Sequence, residues 1–160
     1  MLKFTVEFEG KVQFSRAFSR VDFHLEDMRP TWPVVQRALN EIEERQFKSE
    51  GARGASGKWK PLTRDYAKYK VQKYGSLPIL QREQRLYKAM TGKTGDTLIV
   101  SEKDEFGYGT TLDYQPFVNK ERPIVSLADN EKNFLQKEIQ KDLLKRMKED
   151  RAITQILEVQ

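Results

Sequence analysis

A single histidine, His24, stands between Phe23 and Leu25, and the chain has no cysteine. One imidazole without thiols supplies neither a ligand set for a transition metal nor a Cys–His pair for nucleophilic catalysis. Its apolar neighbours place His24 on the surface of a short strand. Acidic side chains are numerous, but they sit beside Lys and Arg, as on solvated helix faces. The tightest local group, Glu7 and Glu9 with Lys11, is the nearest approach to the clustered carboxylates of a metal-dependent nuclease. It falls in a hairpin turn and has no upstream Asp. Gly51, Gly54 and Gly57 do not form a phosphate-binding loop, because no strand precedes them and no Gly-Lys-Ser/Thr follows. Gly107 and Gly109, inside a strand pattern, suggest close backbone approach or a bulge. These residue types point to no catalytic residue, no cofactor and no metal.

Charge is where the chain departs from an average soluble domain. Residues 48–74 hold eight Lys/Arg against Glu50 and Asp65, a net of +6, whereas the whole chain is +5. The basicity therefore belongs to one segment. Arg53, Lys58, Lys60, Arg64, Lys68, Lys70 and Lys73 are the candidates for contact with DNA or with an acidic partner. Tyr66, Tyr69 and Tyr74 interleave with them, as stacking residues do in single-strand binders. Trp59 and Tyr66 are instead expected to clamp the ends of the loop onto the core. The stretch between Phe47 and Trp59 has three glycines and no large apolar residue, so mobility is expected there. Phe47, Trp59, Pro61 and Leu62 are the expected loop anchors.

The elements that must carry this segment read as α+β. Phe4, Val6 and Phe8 alternate with polar residues, and Val12 and Phe14 continue the pattern, so 3–18 is a hairpin. Val21, Phe23 and Leu25 allow a short third strand. Thr31 is a helix cap and Pro33 fits a first turn. Val34, Val35, Ala38, Leu39, Ile42 and Phe47 then recur at helical spacing, giving a helix over 32–49 that Gly51 and Gly54 end. Thr63 opens a short helix that Gly75 closes. Another short helix carries Leu80, Leu86, Tyr87 and Met90. The segments 97–101 and 106–110 make a second hairpin around the charged turn 102–105. One antiparallel sheet from the two hairpins should share a core of Phe4, Val6, Phe8, Leu98 and Val100 with Val35, Leu39 and Ile42 of the long helix. Phe134, Leu135, Ile139, Leu143 and Met147 stripe a C-terminal helix packed on this body.

At 160 residues the chain is long enough for one core. Residues 1–147 are taken as a single α+β domain and 148–160 as a C-terminal arm or a helix extension. In that tail Ile153, Ile156, Leu157 and Val159 are candidates for contact between subunits, because an apolar segment beyond a charged break is more useful to a neighbour. No run approaches the roughly 20 apolar residues of a membrane helix. The alternating N-terminus is unlike a signal peptide, and the lack of cysteine fits a cytosolic product.

The order of features resembles the phage virion morphogenesis family, the tail-completion proteins of tailed phages and Mu-like prophages. The resemblance rests on Phe47 ending a long helix, the element Trp59-Lys60-Pro61-Leu62, Tyr66, Lys70, Ile79-Leu80, Leu86, Gly109-Thr110, Tyr114 and Arg122-Pro123. It covers roughly residues 32–145, with Trp59 to Leu62 its strongest part. Glu83-Gln84 stands where the family usually shows Thr-Gly. After Tyr114, Val118 and Lys120 replace its usual His and Gly. The resemblance implies a non-enzymatic virion part at the head–tail junction or tail end, present in the host cytoplasm during assembly. It implies a homo-oligomeric ring around the DNA path, a hexamer ahead of a dodecamer. Its partners would be an adjacent tail or connector protein, with non-specific contact to packaged DNA. The competing expectation is a nucleic-acid-binding accessory protein that uses the basic 48–74 segment.

Overall fold

The segment Glu105–Thr110 (β3) is the centre of the sheet. The computed structural model, which describes residues 2–5 and 24–158 and the side chains of 24–149, pairs it on both edges. Leu2–Thr5 (β1) runs antiparallel on one side, with Leu2 opposite Tyr108 and Phe4 opposite Phe106. Thr97–Ser101 (β2) runs antiparallel on the other, with Ile99 opposite Tyr108. The order is β1-β3-β2. The register with β2 is continuous, so Gly107 and Gly109 make no bulge against that strand.

Period two decides which side chains reach the core. Phe106 and Tyr108 are buried on one face of β3. Val100 and Leu98 pair with Gly107 and Gly109 on the opposite face. Both are half-buried and lie outside the core cluster, which corrects the expectation that they join it. The remainder of the 3–18 hairpin, Val6, Phe8, Glu7, Glu9 and Lys11 included, lies outside the described residues.

Trp32–Lys48 (α1) supplies the other half of the core. Trp32, Val35, Ala38, Leu39, Ile42 and Phe47 lie on one helix face and are buried, and each large one contributes about 1.5–3 kcal/mol by leaving water. The indole of Trp32 lies 5.5 Å from the Phe106 ring and donates to the Glu102 carbonyl at 2.6 Å. This joins the start of α1 to the β2–β3 turn. The Tyr108 hydroxyl is shared between the Asn40 side-chain oxygen and the Met90 carbonyl, 2.5 Å each. On the outer face Arg45 pairs with Glu41 one turn back, as the spacing suggests.

Three short helices follow: Arg64–Tyr74 (α2), Arg85–Met90 (α3) and Gln115–Glu121 (α4). Asp129–Glu158 (α5), 30 residues and about 45 Å long at 1.5 Å per residue, packs antiparallel along α1. Arg45 of α1 covers the Phe134 ring, and Thr31 just before α1 meets Asp142 and Arg146. Leu135 is buried; Phe134, Ile139 and Leu143 are half-buried against the core. The backbone through Ile153, Ile156 and Leu157 continues this helix, so the tail is a helix extension; Val159 lies outside the described residues.

Several local expectations change. Thr31 and Thr63 stand at N-caps, but neither side chain caps its helix. The Thr31 hydroxyl donates to Asp142 at 3.0 Å instead, which exchanges a local bond for a bridge between helices. His24 and Leu25 lie in a helical turn, not a strand, and His24 is buried. Leu80 precedes α3 in a left-handed conformation and is not part of that helix. The helix α4 had no counterpart in the sequence reading. At the seam between α1 and α5, Glu43 and Glu131 are both buried. Burial, followed by the charge of Glu131, holds the Glu43 carboxyl well above the usual carboxylate range.

Candidate partner interface

The glycine-rich loop after α1 is a chain of tight turns. Gly54 donates to the Gly51 carbonyl at 3.1 Å, Gly57 to the Gly54 carbonyl at 3.1 Å, and Trp59 back to the Glu50 carbonyl at 2.8 Å. Gly51 has φ +87 and sits against the Trp59 indole, so a side chain there would overlap the ring. The loop is also fastened from outside. Ala55 donates to the Ser126 carbonyl at 3.2 Å and Ser56 to the Ser126 hydroxyl at 2.9 Å. The loop residues carry no apolar anchor, and Arg53, Ser56 and Lys58 are exposed, but the backbone N–H groups of Ala55 and Ser56 find partners at Ser126.

Of the expected anchors, Phe47 and Trp59 are buried and their rings meet edge to face at 5.3 Å. The Trp59 indole donates to the Pro123 carbonyl at 2.7 Å. Leu62 is half-buried against the core. Pro61 is exposed and is not an anchor; its carbonyl accepts from Arg122 at 3.4 Å, and the Lys60 carbonyl from Arg122 Nε at 2.9 Å. Tyr66 is exposed as well and does not clamp the loop onto the core. A ring at the first turn of a short surface helix has no second layer to cover it.

The basic candidates separate into two groups. Arg53, Lys58, Arg64 and Lys68 are exposed and make no ion pair among the described residues. Lys60 lies 3.5 Å from Glu121, and Lys73 donates to the Tyr69 hydroxyl at 3.0 Å. Lys70 leaves the surface set altogether. It is 4% exposed, and its ammonium donates to the carbonyls of Leu77 and Pro78 at 2.8 and 2.5 Å. Burial pushes its pKa down, while Glu50 pulls the other way. The cation ties α2 to the 77–84 loop; it is not presented to a partner.

That loop is bent unusually. Leu80 has φ +63 and Gln84 φ +57, the left-handed region that side chains disfavour. It is held from beneath by Ile79 donating to the Glu50 carboxylate at 2.9 Å and Gln81 donating to the Phe47 carbonyl at 3.2 Å. The result is a cleft of about 460 Å³ between α2, this loop and α4. Leu62, Leu80, Leu86 and Val118 line it with aliphatic surface, and Tyr66 and Tyr114 stand at its edges. Arg82, Arg85 and Arg122 lie around it with one acid, Glu83. Glu83 and Asp96 raise the pKa of Arg82 and Arg85 respectively through direct hydrogen bonds. Arg82 and Arg85 escaped a sequence reading centred on 48–74, although two arginines three apart beside Leu86 were visible in it. Beyond the cleft, Phe117 on α4 is 77% exposed.

No group of three or more His, Asp or Glu side chains among the described residues is placed to hold a metal. No helix among them is long and apolar enough to cross a membrane. Comparison with family models, curated proteins and solved structures finds no match to this chain.

Proposed function

We propose that this chain is a non-enzymatic virion assembly protein, a tail-completion or head–tail connector subunit that works as a homo-oligomeric ring around the DNA path. The observation that carries this reading is the meeting of two remote elements of the resemblance. Trp59 to Leu62 and Arg122-Pro123 are joined by three hydrogen bonds, from the Trp59 indole to Pro123 and from Arg122 to the Lys60 and Pro61 carbonyls. A motif of short, scattered residues makes sense when those residues form one structural joint. Gln84 supports the same reading: the family's glycine position is here a non-glycine in the backbone region that favours glycine. Five more of the quoted residues, Tyr66, Lys70, Leu80, Leu86 and Tyr114, border a single cleft.

The mass of the purified chain, alone and mixed with purified tails, tests this. A discrete ring, or capture by tails without nucleic acid, is the expected result. A monomer that ignores tails but shifts on duplex DNA with a steep salt dependence would replace it with the accessory DNA-binding reading, for which Arg53, Lys58, Arg64 and Lys68 are the available cations. Truncation after Met147 should keep the melting point and lose assembly, because the apolar residues beyond it are assigned to contact between subunits.

A further inference from the structure

We propose that the cleft between α2, the 79–84 loop and α4 is a docking site for an acidic peptide segment that carries a bulky apolar side chain. The proposal deepens the assembly reading by naming the chemistry of a neighbour's contact, and it rests on that reading only for the source of the segment. Three observations select this occupant. The floor is aliphatic, made by Leu62, Leu80, Leu86 and Val118, and has room for a large side chain in its 460 Å³. The rim is cationic and only partly neutralised. Arg82 pairs with Glu83 at 2.5 Å and Arg85 with Asp96 at 3.2 Å, but among the described residues the donors of Arg122 meet the carbonyls of Lys60 and Pro61 and no acid. Carboxylates beside an apolar anchor complement this arrangement.

The third observation is that the shape is built in advance. Two non-glycine residues of the loop, Leu80 and Gln84, keep left-handed backbones, and strain of this kind collects where a ligand is clamped. Buried Lys70 holds the loop by two carbonyls, so little ordering remains to be done on binding. A duplex nucleic acid fits less well. Its phosphates would leave the aliphatic floor uncovered, and of the four candidate cations without ion pairs among the described residues, Arg53 and Lys58 belong to a different loop while Arg64 and Lys68 on α2 do not line the cleft.

The test is fluorescence anisotropy on the full chain with a short labelled peptide of glutamates flanking a leucine–phenylalanine pair. Control peptides replace the glutamates by glutamine or the apolar pair by serine. Saturable binding of the first, with both controls at least about tenfold weaker, is expected. The variants R82Q/R85Q and Y114S, all at exposed positions, should each weaken it about tenfold without moving the melting point. Hydrogen exchange on the unaltered chain should show protection of 79–86 and 114–122 when peptide is added, a readout that needs no variant. No saturable binding, equal binding of the glutamine peptide, or protection elsewhere overturns the proposal, as does displacement from 79–86 by duplex DNA. A chain that binds peptide in the cleft but neither forms rings nor joins tails sinks the assembly reading alone. One that assembles without protecting the cleft from exchange sinks the docking site alone.

Discussion

The indole nitrogen of Trp59 donates a 2.7 Å hydrogen bond to the carbonyl of Pro123, 64 positions further along the chain. This bond closes the glycine-rich loop over Phe47, and beside it the Arg122 bonds to the Lys60 and Pro61 carbonyls tie the end of α4 to the segment that leads into α2.

Trp59→Ala removes a buried ring and the donor together. The expected loss is about 3–5 kcal/mol, read as a lower urea midpoint. Trp59→Phe should cost less, since it keeps the contact with Phe47 and forfeits mainly the bond to Pro123. Equal stability of the alanine variant and the unaltered chain would show that the indole is not the anchor.

Two glycines with similar backbones should respond differently. Gly51 and Gly57 have φ +87 and +73, but a methyl at Gly51 meets the Trp59 ring and one at Gly57 meets nothing. Gly57→Ala should cost about 1–2 kcal/mol, the strain of a left-handed alanine. Gly51→Ala carries the same strain plus displacement of the indole, and its thermal midpoint should fall further. The reverse order would contradict the packing.

Gln84→Gly relieves a left-handed side-chain residue, φ +57, at the half-buried bend that opens α3. A gain of about 0.5–1 kcal/mol is expected after the flexibility of glycine in the unfolded chain is allowed for. In a chain of this size that is a rise of about 2–4 °C per kcal/mol in a thermal melt.

Glu43 makes stability depend on pH. Its carboxyl, raised above 4.5 by burial and by Glu131, binds its proton more tightly folded than unfolded. Stability from this site is full below the unfolded pKa and falls as pH rises from there to the folded value. Glu43→Gln removes the penalty. Its melting point should exceed that of the unaltered chain at neutral pH, and the gap should close on acidification toward 4.5. A gap independent of pH would assign the effect to packing.

Ser126 holds the loop from outside through Ser56 N at 2.9 Å and Ser56 Oγ at 2.8 Å. In Ser126→Ala, trypsin cleavage after the exposed Arg53 and Lys58 should accelerate several-fold. Unchanged cleavage rates would show that the loop's internal turns suffice.

Local periodicity made much of this fold legible. The helical spacing of Val35, Leu39 and Ile42 marks α1, and the stripe from Phe134 to Leu143 marks α5, because a helix face must match a core wherever that core is. Alternation marked 97–110 as a hairpin. The isolated Trp59 among glycines and cations marked itself as an anchor, since a large ring in a polar loop has little else to do. What periodicity cannot supply is register and distance. Leu98 and Val100 alternate as well as Phe106 and Tyr108 do, and only the pairing of Val100 with Gly107 turns them to the other face. Lys70 looks like its neighbours on α2, yet the return of the 77–78 carbonyls over it makes it an internal tie. The cleft gathers Leu62, Leu86, Tyr114 and Arg122 from four separate stretches. The sequence by itself determined α1, α5, the 97–110 hairpin and the Trp59 anchor; tertiary structure alone decided α4, which cations face outward and where they meet apolar surface, because those depend on contacts between residues that no short-range pattern relates.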